Sequence, residues 1–404
     1  MNAVGIDVSK GTSTVAILRP FGEIVASPFE VTHTGSELSK LTSKLKSLSG
    51  ETKVIMECTG NYHLPIATAL HDAGLTVCAV HALLIHDFGN NTIRKVKTDK
   101  ADALKIASYG LTHWIELPKF APEDEIRHLL KAYSRQYNKY SKLKTMLKNN
   151  LISLTDKTFP GANEFFTSPA RKSDGHEKWV DFFARFWHCG CVFSLSEKAF
   201  IECYRKWCRR CGYNFSEAKA KDIYAASKVH IGIMPKTKAA ECLAVQAVRQ
   251  ITAVSETLSV IAGEMKSLAA SLPEYPVVMG FCGVGDVLGP QLMAEIGDIL
   301  RYKQKSSLVS FAGLEPVENS SGKHRGDEKI SKQGSPHLRK ALFQVMDCLL
   351  KHSPQGDPIY MLLDRKRAEG KHYYSYMNAG AAKFLRVYYA RVKEYLSANQ
   401  PVHG

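Results

Sequence analysis

No stretch of this 404-residue chain is apolar for long enough to span a bilayer, and no secretory leader precedes the first structured run, which begins at Ala3. A protein held by membrane helices is thereby excluded, and a cytoplasmic one is expected. Acidic residues are comparatively few, 39 Asp and Glu against 54 Lys and Arg, for a formal charge of +15. That balance suits a polyanionic partner such as nucleic acid. The ten cysteines are scattered rather than spaced as a disulfide framework, which fits reduced thiols. Hydrophobic residues make up 45% of the chain, enough for the cores of two or three domains.

Against this background an isolated acid stands out in the first apolar run, Ala3-Val4-Gly5-Ile6-Asp7-Val8-Ser9-Lys10. The run reads as a strand, and a carboxylate desolvated there without partners would cost several kcal/mol. Three further acids could share a cation with it. Glu57 ends a second β-type run, Lys53-Val54-Ile55-Met56-Glu57-Cys58, before the turn Thr59-Gly60-Asn61. Asp99 and Asp102 follow Thr98, a plausible N-cap, and their spacing puts both on one helical face. Four carboxylates form an all-oxygen donor set, which favours Mg2+ or Mn2+ over zinc. Two such ions can activate a nucleophile and stabilise a leaving oxygen in phosphodiester chemistry.

Gly5-Ile6-Asp7-Val8-Ser9-Lys10, Met56-Glu57-Cys58-Thr59-Gly60 and Val96-Lys97-Thr98-Asp99-Lys100-Ala101-Asp102-Ala103 closely resemble, in that order, the RuvC-like amino-terminal domain of the insertion sequence 110 (Piv/MooV-type) DEDD transposases. The resemblance places the family's metal-binding catalytic tetrad on Asp7, Glu57, Asp99 and Asp102.

The surrounding pattern predicts an α/β domain followed by helical regions. Runs at 3–8, 13–18 and 23–26 are spaced as hairpins. A helix follows with Leu38, Leu41, Leu45 and Leu48 on one face, then strands at 54–56 and 76–80 around a helix at 62–73. Three hairpin-linked strands followed by β-α-β units match an RNase H-like mixed sheet. The expected domains are 1–118, a coiled-coil region at 119–272 with a helical insertion at about 160–240, and a helical carboxy-terminal domain at 273–404.

In the middle region Leu129, Tyr133, Gln136, Tyr140, Leu143, Leu147, Asn150 and Leu154 alternate spacings of four and three, the period of a coiled-coil seam. Lys131, Arg135 and Lys139 flank it and are candidate contacts to nucleic-acid backbones. A second seam, Ile251, Val254, Leu258, Ile261, Met265 and Leu268, is expected to pair antiparallel with the first, within one chain or between chains. Tyr133, Tyr137 and Tyr140 could stack on bases, although aromatics at helical spacing more often build core. Between the seams, Cys189, Cys191, Cys208 and Cys211 partly match zinc-ligand spacing but lie among Phe183, Phe186, Trp187, Tyr204 and Trp207. Cysteine in such company commonly acts as a small core residue.

Beyond Pro273, Gly283-Val284-Gly285 opens a helix-hairpin-helix-like segment whose backbone N–H groups could face a phosphate, or simply makes a tight interhelical turn. Phe311 to Pro316, Asn319 to Lys323 and Ile330 to Arg339 resemble the carboxy-terminal transposase domain of the same family. That resemblance assigns the nucleophilic serine to Ser321, with Ser320 beside it. Lys323, Arg325, Lys332 and Arg339 could neutralise an attacked phosphate.

The resemblance as a whole implies a prokaryotic recombinase, nucleoid-associated when it acts, that cuts and rejoins DNA strands. It also implies a structured noncoding guide RNA as partner and a homo-oligomer, dimer or tetramer, in which metal site and serine are shared between protomers. The alternatives are a Piv-like site-specific invertase and a RuvC-like Holliday-junction nuclease, which would need the tetrad but not Ser321. An actin-like kinase or a non-catalytic scaffold leaves the Asp99/Asp102 pair or the whole tetrad without a role.

Overall fold

Alternating apolar side chains in the first thirty residues build the centre of a sheet whose two faces are both covered. The computed structural model describes residues 1–58, 60–88, 98–122, 124–171, 173–317, 320–321, 324–325 and 329–399, with the backbone alone at 317, 320, 321, 324, 325 and 329. Five strands, β1 (Asn2–Val8), β2 (Thr12–Arg19), β3 (Glu23–Thr32), β4 (Thr52–Cys58) and β5 (Thr76–His81), take the order β3-β2-β1-β4-β5. The hairpin-linked pairs are antiparallel, whereas β1–β4 and β4–β5 are parallel. This is the mixed sheet that the sequence pattern predicts.

Helices α1 (Gly35–Lys46) and α2 (Leu64–Asp72) cover one face, packing Leu41, Leu45, Ile66 and Leu70 on Val4, Ile6, Val54 and Met56. Helices α3 (Ala82–Phe88) and α4 (Asp99–Thr112) cover the other, where Ile85, Ile106 and Ala107 meet Ala3, Ile55 and Val80. Because β1 lies in the middle, Ala3, Val4 and Ile6 are wholly buried.

The chain divides into two compact units, Met1–Pro122 and Glu123–Gly404, where the sequence pattern suggests three domains. The second unit is organised by two long helices, α5 (Glu125–Thr158) and, after α6 (Lys178–Arg185), α7 (Gly190–Phe193), α8 (Glu197–Arg210) and α9 (Glu217–Val229), α10 (Lys238–Ala270). Leu130 of α5 shares a core with Ile261, Met265 and Ala269, and Leu151 shares another with Ala244, Val248 and Ile251. The two helices therefore run antiparallel within one chain. The first core is completed by α11 (Tyr275–Met279), α12 (Leu288–Ile296), α13 (Lys305–Phe311), α14 (Pro336–His352), α15 (Pro358–Ala368) and α16 (Tyr373–Ala398). The second is the aromatic core of the 160–240 insertion.

The seam on α10 packs as expected, but that on α5 lies one residue further along. Leu129, Gln136 and Asn150 are exposed, while Leu130, Ser134, Leu151 and Thr155 are buried. Small hydroxyl residues occupy the seam because the helices approach closely, and Thr155 and Ser255 satisfy their hydroxyls on the carbonyls of Leu151 and Ile251. An apolarity pattern misses such positions. Tyr133, Tyr137 and Tyr140 pack, half-buried, against the carboxy-terminal core rather than standing free for bases.

Candidate active site

Asp7 and Glu57 each stand one residue beyond Ile6 and Met56, the last paired rung between parallel strands β1 and β4. Equivalent positions on neighbouring strands project to the same face about 4.8 Å apart. Two residues earlier on that face, Gly5 contacts the backbone of α4 at Ala103 and Ala107, and Ile55 meets Gly110. Both carboxylates therefore leave the sheet on the side carrying α4.

Asp99 and Asp102 occupy the first turn of that helix, started by Thr98, whose side chain accepts from the Ala101 N–H at 3.2 Å. Carboxylates in a first turn are favoured by the helix dipole. Asp7, Glu57 and Asp102 are half-buried, and Asp99 is exposed. The Asp7 carboxyl is pushed up to about 6, first by burial and then by the charges of Asp102, Asp99 and Glu57. All three acids thus act on Asp7.

A divalent cation would relieve that repulsion, and the all-oxygen donor set suits Mg2+ or Mn2+ in kind. The cage is not preformed: among the described residues, no group of three or more His, Cys, Asp or Glu stands at metal-holding distance.

The serine motif belongs to the second unit. Ser320 pairs with Arg325 and Ser321 with His324 in a short antiparallel ladder, next to the pairing of Pro316 with Ile330. The side chains of Ser321 and Arg325, and all of Lys323, lie outside the described residues. Lys332 is exposed, with left-handed backbone (φ 54°), and its N–H donates to the Gly313 carbonyl at 3.1 Å. Arg339 donates from one guanidinium nitrogen to the carbonyls of Ala312 (2.9 Å) and Gly334 (3.2 Å), so it pins the turn beside the motif instead of standing wholly free for phosphate. Burial lowers its pKa.

Of the basic flank on α5, Lys139 is exposed and Lys131 half-buried. Arg135 points elsewhere: its Nε lies 3.6 Å from Oε1 of Glu295, whose side chain is 3% exposed. This is an ion pair without a hydrogen bond, and with the Arg135 side chain 40% exposed it competes with any contact to a nucleic-acid backbone. Ser335, the N-cap of α14, donates to the other Glu295 oxygen at 3.3 Å. Glu295 escaped the sequence reading although it is a lone acid in an apolar helix, the same signal that marks Asp7.

The Gly283 turn serves packing. It adopts φ 77°, and a β-carbon there would come 3.0 Å from the Val345 carbonyl of α14. Cys189 and Cys208 are buried in the aromatic core of the insertion, and all ten cysteines are free thiols.

These features of sheet, acids and serine ladder coincide with the regions matched by known families. A family model of the IS110 DEDD type, described as Transposase, matches residues 4–160, and one described as Transposase IS116/IS110/IS902 family matches residues 275–361. The protein is a transposase, an enzyme of DNA recombination. Within that class, it belongs to the IS110 family of DEDD transposases.

Among relatives, an uncharacterized 43.6 kDa protein of insertion element IS110 from Streptomyces coelicolor is 22% identical over 97% of this chain and 94% of its own length. The pilin gene-inverting protein of Moraxella bovis is 21% identical over 87% of this chain and 83% of its own. Among solved structures, T. thermophilus RuvC in complex with Holliday junction substrate aligns with 30% of this chain and 99% of its own, at 12% identity and a TM-score of 0.24.

Proposed function

We propose that the chain cuts and rejoins DNA strands with a divalent-metal site on Asp7, Glu57, Asp99 and Asp102 and a nucleophile at Ser321. The observation that carries this reading is the placement of Glu57, Asp99 and Asp102 around Asp7, whose carboxyl is held near 6 first by its burial and then by those three charges. A scaffold protein gains nothing from such repulsion, whereas perturbed carboxylates of this kind are common at catalytic sites. Mg2+ or Mn2+ held there would polarise a scissile phosphate and favour a deprotonated nucleophile.

The chain's own part is positional: β1 and β4 hold two carboxylates on one sheet face, and α4 brings the other two. The Ser321 hydroxyl gives up its proton and attacks phosphorus, a phosphoserine bond forms, and the broken strand leaves on its sugar oxygen, which takes a proton. A hydroxyl of a second strand reverses the exchange, releasing the serine. Bond energy is thereby conserved between cut and rejoining.

Family resemblance supports two further parts: a structured noncoding RNA that pairs with donor and target DNA, and a homo-oligomer, dimer or tetramer, that shares metal site and serine between protomers. Delegating sequence choice to base pairing leaves the protein to hold backbones, a division of labour known in other RNA-guided systems. A second reading, site-specific inversion by the same chemistry, is favoured by alignment with the pilin gene-inverting protein over most of both chains. A Holliday-junction nuclease would leave the carboxy-terminal match at 275–361 without a role.

The test is a denaturation-resistant protein–DNA adduct. It should form with wild type and Mg2+, persist in Ser320→Ala and vanish in Ser321→Ala. Cleavage without an adduct would replace the serine step by attack of water or a sugar hydroxyl. Loss in Ser320→Ala alone would move the nucleophile by one residue.

A further inference from the structure

The 160–240 insertion carries fourteen Lys and Arg against eight Asp and Glu. Their arrangement on α8 is strongly two-sided. Phe200, Tyr204, Trp207 and Cys208 are buried in the aromatic core, whereas Lys198, Arg205, Lys206, Arg209 and Arg210 are exposed. At 100° per residue those five cations fall within an arc of roughly 140° on the opposite face. Arg205 is engaged with Glu202 (3.3 Å) and Glu217 (4.0 Å). Among the described residues, Lys198, Lys206, Arg209 and Arg210 make no ion pair.

Four cations without ion pairs on one rigid helix repel one another, and the fold gains nothing from keeping them together. Between Lys198 and Arg209 the helix rises about 17 Å, enough to place charges along several consecutive phosphates of a duplex. Every aromatic ring of α8 faces inward, so the exposed face has nothing on which to stack unpaired bases, as single strands and RNA loops require.

We propose that this face of α8 is a docking surface for the phosphate backbone of duplex DNA, outside the catalytic residues and independent of sequence. The choice of DNA rests on the transposase reading, since an enzyme that exchanges strands must hold duplex beyond the cut. The buried aromatic core makes the insertion a stiff carrier for this charged face. The Cys208-Arg209-Arg210-Cys211 stretch then has a physical sense without zinc: Cys208 anchors the helix inside while the two arginines face out.

The experiment compares full-length wild type, the triple variant Lys206→Gln, Arg209→Gln and Arg210→Gln, and a control variant Arg205→Gln. Binding to a 40-base-pair DNA duplex of arbitrary sequence and to an RNA duplex of the same length is followed across salt concentrations. The triple variant should flatten the DNA slope of log K against log salt by up to about 2.7, while Arg205→Gln changes it little. All three positions are exposed, so circular dichroism and the thermal midpoint should match wild type. An unchanged DNA slope overturns the proposal, and a change confined to RNA overturns the choice of partner. Metal-dependent cleavage by wild type, measured alongside, separates these outcomes from failure of the transposase reading.

Discussion

A β-carbon on Gly5 would lie 2.2 Å from the carbonyl oxygen of Ala103 and 2.4 Å from the amide nitrogen of Ala107. The backbone of α4 therefore rests directly on β1, two residues before Asp7 and one turn beyond Asp99. No side chain separates the helix from the strand. That contact fixes the distance between the strand acid and the helical acid pair, so the proposed metal site depends on a hydrogen atom at position 5.

Gly5→Ala should consequently act on both stability and chemistry. The obstructing atoms are backbone and cannot rotate away, so the helix must shift, at a stability cost of about 1–3 kcal/mol or more. Urea unfolding should show a lowered midpoint, and strand cleavage should fall further than the unfolded fraction explains. Wild-type stability in this variant would mean that α4 is not held against β1 as described.

The raised carboxyl of Asp7 sets the sign of a pH effect. Its folded value of about 6 exceeds the ordinary 3.8, so the folded state binds the proton more tightly and, without metal, this group's contribution to stability declines as pH rises between those values. Asp7→Asn carries no such charge. In chelator-treated protein the variant should match wild type near pH 4 and become the more stable above about pH 6, the gap then levelling off. A gap that widens toward low pH would contradict this electrostatic account.

Much of this site is legible in the sequence because its signals are local. Asp7 interrupts an apolar run, Glu57 ends another, and Thr98 with Asp99 and Asp102 announces a helix start. Gly5 is not legible in the same way: any strand can carry a glycine, and only the packing of α4 shows what it permits. On α5 the stripe defined by Leu129 and Gln136 is displaced by one residue because Ser134 and Thr155, polar by composition, take the close-packed positions. Arg135 reads as a surface cation until Glu295, 160 residues later, is seen to lie 3.6 Å from its Nε as a buried counter-charge.

A second long-range pair, Arg127 with Glu274 at 2.5 Å, has both side chains less than a tenth exposed. Removing one partner of such a pair strands a buried charge. Arg127→Ala should destabilise the second unit by about 3–5 kcal/mol, whereas replacing both by apolar residues, Arg127→Met with Glu274→Leu, should cost much less. Equal losses in the single and double variants, read from denaturant midpoints, would show that the pair contributes directly rather than by mutual neutralisation.

On α5, Lys139→Ala should weaken binding to nucleic acid and reduce its salt dependence by about one ion, whereas Arg135→Ala should leave that slope nearly unchanged and lower stability. The contrast follows from the exposure of Lys139 and the 3.6 Å approach of Arg135 to Glu295. The reverse ranking would place Arg135 on the nucleic acid.

Strand cleavage by Asp7→Asn tests the proposed site most directly. This substitution removes one ligand charge with little change of shape, so the variant should bind DNA as wild type does and yet cleave it no faster than protein stripped of metal, in either Mg2+ or Mn2+. Cleavage at the wild-type rate with divalent metal present would contradict the assignment of Asp7 and its three neighbouring acids to the catalytic site.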